Sequence, residues 1–394
     1  MAGRHKKSLF LAGKILLALL LLAWVVSQVH WHDYAIRKSD KKTYPVVRVI
    51  PSAAAPEKLI VMTGPLWDRH TGQPENVADF EAIPGTGQVL WPGFASSIAD
   101  LKVLPLVAGF IAYFFTMPVI ATRWRLLLRT GQINISRWEA LRLTFLGQFF
   151  NTVVPGTVGG DLVKAYYVSK HTPNKAAALV SVIMDRVLGL VALTVLAGVV
   201  LLIVWSSGLA GSRDLYWPAI LVAVILGGIL AAFVFLFSSR LRRLLRLQKL
   251  YQRLPLSHHI AAAGQVMHLY RRDVSSMAKA VLITTLAQVI WIGSIVLTGA
   301  SLSLPIPWHA YFLYIPLIYT IGAVPLTPGG VGLVEKFYLV FFVDSLCTDT
   351  RVLALALLVR LTPILWGLPG AVVAITGPRL PKAEAMEAEL GLKE

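Results

Sequence analysis

Two apolar stretches of this chain are broken in the middle by proline and glycine, and these breaks limit its fold more than any other feature. The first, at 141–170, contains Pro155-Gly-Thr-Val-Gly-Gly160-Asp-Leu-Val-Lys164. The second, at 310–345, contains Pro325-Leu-Thr-Pro328-Gly-Gly-Val-Gly332-Leu-Val-Glu335. About fifteen apolar residues precede Pro155, enough for ~22 Å of helix and too short to cross ~30 Å of hydrocarbon. Irregular backbone at membrane depth survives only where protein or a water-filled cavity satisfies its polar groups. Two re-entrant hairpins, with a polar cavity near the breaks, are therefore expected.

The surroundings of the breaks make the membrane reading necessary. Hydrophobic residues make up 56% of the chain and charged residues only 14%, with a mean hydropathy of +0.67. A soluble domain carries about 25% charged residues, so a water-solvated globule is excluded. Six uninterrupted segments are long and apolar enough to span: roughly 9–29, 101–121, 176–206, 217–238, 278–300 and 352–376. Alternation with period 2 does not recur across them, which argues against a β-barrel. The expected fold class is an all-α polytopic membrane protein, with about six full spans and two Pro/Gly-broken hairpins. Four regions follow: an N-terminal anchor (1–30), a β-rich extracytoplasmic insert (31–99), a transmembrane domain (100–376) and a cytoplasmic tail (377–394).

The net charge of +17 raises nucleic acid as a partner, but its distribution speaks for topology instead. Basic residues gather at Arg4, Lys6 and Lys7, in the stretch Arg123, Arg125, Arg129 and Arg137, and throughout 239–277. The positive-inside rule places these regions, the N-terminus among them, in the cytoplasm, and six spans bring the C-terminal tail to the same side. A multi-pass plasma (inner) membrane protein with no nucleic-acid partner is expected. The first segment has a long apolar run and no small-residue cleavage site, so it reads as a retained anchor rather than a signal peptide. The 239–277 loop reads as an amphipathic helix on the inner leaflet. In the insert, Tyr44–Ile50, Leu59–Met62 and Gly85–Trp91 have the composition of short strands.

Each half of the chain has the same order of segments: span, span, broken stretch, span. Three crossings per half is an odd number, so the halves are expected to be inverted, with one break entering from each side. Paired interrupted segments of this kind point to a transporter-like site between repeats.

Charged residues at membrane depth are costly and usually functional. Asp185, Arg186 and Arg360 lie within spans; Arg142, Asp161 and Lys164 belong to the first break, and Glu335 and Lys336 to the second. Residues 185 and 186 cannot face one another on a helix, so each needs a partner elsewhere, for example on a broken stretch. Two readings stand. The charges can form a closed ion network that locks the bundle, or they can line a cavity whose arginines hold a phosphate by parallel charge-assisted bonds. In the second reading Asn151, Gly156, Gly159, Gly160, Gly329 and Gly330 supply polar groups and backbone N–H donors around the same headgroup.

Other chemistry has little support. A single cysteine, Cys347, excludes a disulfide framework and a Cys-based zinc site. His30, His32 and Asp33 read as interfacial residues rather than a metal site, and no nucleotide or hydrolase motif occurs. No cofactor is expected.

The motifs Gly147-Gln-Phe-Phe-Asn151, Gly159-Gly-Asp161-Leu-Val-Lys164 and Asp185-Arg186-Val-Leu-Gly189, with the second break, resemble the transmembrane, flippase-like domain of lysylphosphatidylglycerol synthase and its stand-alone relatives. The likeness covers roughly 100–376. It implies two re-entrant hairpins and a lipid-translocating role, with a membrane lipid or a lipid-linked glycan intermediate as cargo. Bifunctional members append an aminoacyl-transferase domain that is not seen after 376, so that activity does not carry over. A membrane-embedded transferase, or a scaffold for a glycosyltransferase partner in envelope biogenesis, are the alternatives. Oligomeric state is left open.

Overall fold

The computed structural model describes residues 29–50, 58–62, 72–83, 89–153, 159–208, 212–237, 269–376 and 381–390, apart from positions 271, 325, 345 and 382, together with scattered positions between 16 and 27. Most of the expected anchor and most of the expected 239–277 surface helix lie outside these residues.

Four strands come first: β1 (Tyr34–Ile36), β2 (Thr43–Ile50), β3 (Lys58–Met62) and β4 (Gly72–Asn76). They form one antiparallel sheet in sequence order, with an irregularity between Val46 and Arg48. Two of the three expected strands are β2 and β3. The third forms no strand among its described residues; Trp91 instead makes an isolated bridge with Tyr34. β4 carries Pro74, which cannot donate to a ladder and is tolerated at a sheet edge. Ala35, Val46 and Phe80 pack together as the insert's own small core.

Helices follow: α1 (Phe94–Ala99), α2 (Val103–Thr130), α3 (Arg137–Val153), α4 (Gly159–Ser169), α5 (Lys175–Ser207), α6 (Ser212–Phe237), α7 (Val274–Ser301), α8 (Trp308–Gly322), α9 (Leu333–Phe342), α10 (Asp349–Thr376) and α11 (Ala383–Glu389). Among the described residues, α2, α5, α7 and α10 are long and apolar enough to cross a membrane, and α6 has a shorter apolar stretch at Tyr216–Gly228. The most apolar window of α5 has a mean hydropathy of 3.0, yet only 44% of it is buried by protein. Leu202 and Trp205 are 64% and 67% exposed. An apolar surface of that extent is stable only against lipid, so the chain is a multi-pass membrane protein.

Each expected break separates two short helices. α3 and α4 have 17 and 11 residues, and α8 and α9 have 15 and 10. At 1.5 Å per residue the longest of these is about 25 Å, so none spans alone. The order long, short, short, long occurs twice, as α2–α5 and as α7–α10.

The chain divides into two compact units. One holds residues 1–108, 297–306 and 331–360; the other holds 109–296, 307–330 and 361–394. In the second unit, Trp124, Leu127 and Leu128 of α2 pack with Leu143 and Leu146 of α3, Val163 and Val168 of α4, and Ala177 and Ala178 of α5. α5 begins on Asn174, whose side chain accepts from Ala177 N at 3.2 Å, and ends on Gly208 at φ 66°. Such caps satisfy end groups that the helix leaves orphaned.

Candidate functional site

In the second unit, α2, α3, α4, α5 and α7 surround a cavity of about 320 Å³. Its walls carry five charged groups: Arg123, Lys164 and Arg186 against Asp161 and Asp185. Three cations and two carboxylates leave one formal positive charge. Gln148, Asn151 and Gln288 add amides to the lining, and Trp291 an indole.

Glycine brings the two halves of the first break together. A Cβ on Gly160 would overlap the carbonyl of Gly147, and one on Gly147 would lie 2.7 Å from Cδ of Lys164. With no side chain at either position, α3 and α4 touch backbone to backbone. Asn151 Oδ1 then reaches Gly160 N at 3.0 Å, which satisfies one of the N–H groups left open at the start of α4. Asp161, in the first turn of α4, sits where the helix dipole favours a carboxylate.

The deep charges are joined by two sets of contacts. Arg123 Nε donates to Asp185 Oδ1 at 2.9 Å, and its Nη2 lies 2.7 Å from the same oxygen. The other Asp185 oxygen lies 3.6 Å from Lys164 Nζ. That ammonium also sits 4.1 Å from the Trp124 ring centroid, close enough for a cation–π attraction. Arg123 Nη1 donates to Thr284 Oγ1 of α7 at 3.3 Å. The second contact pairs Arg186 with Asp161. Residues 185 and 186 point to different partners, and both find one on α4, as their helical offset requires.

The two contacts differ in accessibility. The side chains of Arg123 and Lys164 are each 7% exposed, whereas that of Arg186 is 46% exposed. Arg123, Asp185 and Lys164 form a fixed buried triad. The Arg186–Asp161 pair faces the open part of the cavity.

Arg142 does not line this cavity. It pairs with Glu139 at 3.5 Å one turn back on α3, and it lines another recess, of about 510 Å³, with Tyr167 and Lys170. Gly156 lies outside the described residues, and Gly159 opens α4. At the second break, Gly329 and Gly330 adopt φ of 61° and 67°, a left-handed turn that a Cβ would strain. Glu335, on α9, is 1% exposed. One of its oxygens accepts from Gly332 N at 2.8 Å and the other pairs with Arg360 of α10. Lys336 Nζ lies 5.1 Å from the Trp24 ring.

Arg123 is the main residue that the sequence reading missed as part of the site. It follows the expected span 101–121 in a basic stretch that reads as topology signal, but α2 continues to Thr130 and buries it. A signal was present: no helix breaker lies between Pro118 and Gly131, and the apolar residues Leu126, Leu127 and Leu128 continue the helix past it.

The family model of the lysylphosphatidylglycerol synthase TM region matches residues 86–370, a range that includes both breaks and the charged residues that line the cavity. Over 281 residues the chain is 24% identical to a UPF0104 membrane protein of Pyrococcus horikoshii, an alignment covering 62% of this chain and 79% of that protein.

Proposed function

This chain belongs to the lysylphosphatidylglycerol synthase TM region family, and from that premise we propose that it moves an anionic lipid headgroup, of a phospholipid or a lipid-linked glycan carrier, between the leaflets of the plasma membrane. The observation that carries the reading is the single excess positive charge on the cavity wall. A phosphodiester brings one negative charge and balances it.

The headgroup enters the cavity and competes with Asp161 for the Arg186 guanidinium, the most accessible cation there. The planar fork of arginine offers two parallel donors to phosphate. The buried triad of Arg123, Asp185 and Lys164 holds α2, α4 and α5 in register while that exchange occurs. Arg360 and Glu335 act as the equivalent pair at the second break. The two breaks are re-entrant hairpins of an inverted repeat, opening to opposite faces, with both termini in the cytoplasm. Acyl tails stay in lipid throughout, so only the headgroup has to be resolvated.

Leaflet exchange of fluorescent phosphatidylglycerol in proteoliposomes tests this directly. Arg186→Ala and Arg360→Ala each abolish exchange while leaving the protein folded; unchanged exchange in both variants rejects the assigned site. Labelling of single cysteines near 156 and 330, in a Cys347→Ser background, tests the inversion: reaction from the same face at both positions ends the repeat model.

A further inference from the structure

Part of the cavity wall has no task in holding the phosphate. α7 contributes Ala287, Gln288 and Trp291 to the lining. All three are uncharged, and they share one face of the helix, because positions three and four apart are neighbours. Gln288 stands midway along Val274–Ser301, about 20 Å from either end at 1.5 Å per residue. An amide at that depth is costly unless its polar groups are met.

Among the described residues three side-chain amides line the cavity, and two are already engaged. Gln148 Nε2 donates to Pro363 O at 3.3 Å, and Asn151 Oδ1 accepts from Gly160 N at 3.0 Å. The Gln288 carboxamide makes no hydrogen bond among the described residues. It is not sealed in either: the residue is half-buried, and its polar atoms open onto the cavity. The Trp291 indole N–H is placed in the same way. Its ring is held edge-on against Tyr319 of α8, with centroids 4.6 Å apart and planes at 82°.

These groups restrict what can lie beside the phosphate. The charges of the lining are Arg123, Asp161, Lys164, Asp185 and Arg186, all on α2, α4 and α5, and one phosphodiester neutralises their sum. The α7 wall carries no charge. An ammonium or carboxylate against it would lose water without gaining a counter-ion. A hydroxyl is fully met there: it accepts from the indole or amide N–H and donates to the amide oxygen.

We propose that Gln288 and Trp291 select the cargo by hydroxyl groups on its headgroup, so that the lipid moved is a phosphodiester of a polyol or sugar and not of an amine. The inference rests on the translocation reading above and narrows its substrate class. The hydroxyls come either from a glycerophospholipid or from a lipid-linked glycan, and both are recognised by the same bonds.

The test compares leaflet exchange in proteoliposomes of three fluorescent lipids: phosphatidylglycerol, phosphatidylserine and a polyprenyl mannosyl phosphate. Each carries one net negative charge, so a difference in rate reports hydroxyls against ammonium and carboxylate. The parent moves phosphatidylglycerol or the mannosyl carrier about fivefold faster than phosphatidylserine, the effect of one hydrogen bond. Preference for the first identifies a glycerophospholipid and for the second a glycan carrier; both support the proposal. Gln288→Leu lowers the favoured rate to that of phosphatidylserine. Trp291→Phe keeps the ring and loses only the N–H, so it reads the same loss if Gln288→Leu fails to fold. Equal rates for the three lipids in the parent, with Arg186→Ala still abolishing exchange, overturn the selection and leave translocation standing. A preference that survives both substitutions overturns it too, and no exchange of any lipid overturns both readings.

Discussion

Arg123 and Asp185, 62 residues apart in the chain, are locked together inside the helical unit, the guanidinium Nη2 2.7 Å from the carboxylate. Lys164 approaches the other oxygen of the same carboxylate at 3.6 Å. One buried anion therefore serves two buried cations. Removing the charge of Asp185 with Asp185→Asn leaves both uncompensated, which costs about 3–5 kcal/mol for a broken buried pair. Thermal unfolding in detergent reads this as a large loss of stability. Adding Lys164→Met to Asp185→Asn recovers part of it, because only one unpaired cation then remains.

Gly160→Ala forces apart helices that meet backbone to backbone, since the new methyl group overlaps the Gly147 carbonyl. Overpacking of this kind costs about 1–3 kcal/mol. Gly189→Ala is the contrast: nothing lies within 4 Å of the added carbon, and helix propensity favours alanine by up to about 1 kcal/mol. The two variants should shift the unfolding temperature in opposite directions.

Arg142→Ala separates the cavity from the rest of the basic surface. Arg142 pairs with Glu139 and faces the other recess, so leaflet exchange of phosphatidylglycerol stays within about twofold of the parent, as expected for removal of an exposed pair. Arg186→Ala in the same assay shows the loss.

Tyr34 gives the insert a dependence on alkaline pH. Burial pushes its phenol from 10.0 to about 12, with a hydrogen bond to Thr348 opposing the shift. Between these values an unfolded tyrosine loses its proton while the folded one keeps it, so stability falls as pH rises through that window. Below pH 10 the group contributes no pH dependence. Tyr34→Phe should lower the late-titrating tyrosinate absorbance by the amplitude of one residue and reduce the loss of stability between pH 10 and 12.

Much of the site was legible because charge at membrane depth is rare. Asp161, Lys164, Asp185 and Arg186 stood out in apolar surroundings, and all four line one cavity. Arg142 stood out for the same reason and faces elsewhere, since a helix carries successive residues to different faces. Arg123 was hidden by its neighbours: among Arg125 and Arg129 it resembles a topology signal, and only the path of α2 separates it from them. In the insert, β2 and β3 were readable from β-branched runs. β1 has only three residues, and β4 is polar and contains proline, so neither carries a local pattern.

The sequence by itself determined the solvent and the punctuation of this protein. Transfer of side chains from water to lipid is a sum over a window, and proline and glycine act on their own backbone, so long spans, broken stretches and the family motifs are all local properties. The tertiary structure alone decided which charges meet. An ion pair depends on distances between helices far apart in the chain, as between Arg123 of α2 and Asp185 of α5, and no local property of the sequence sets those distances.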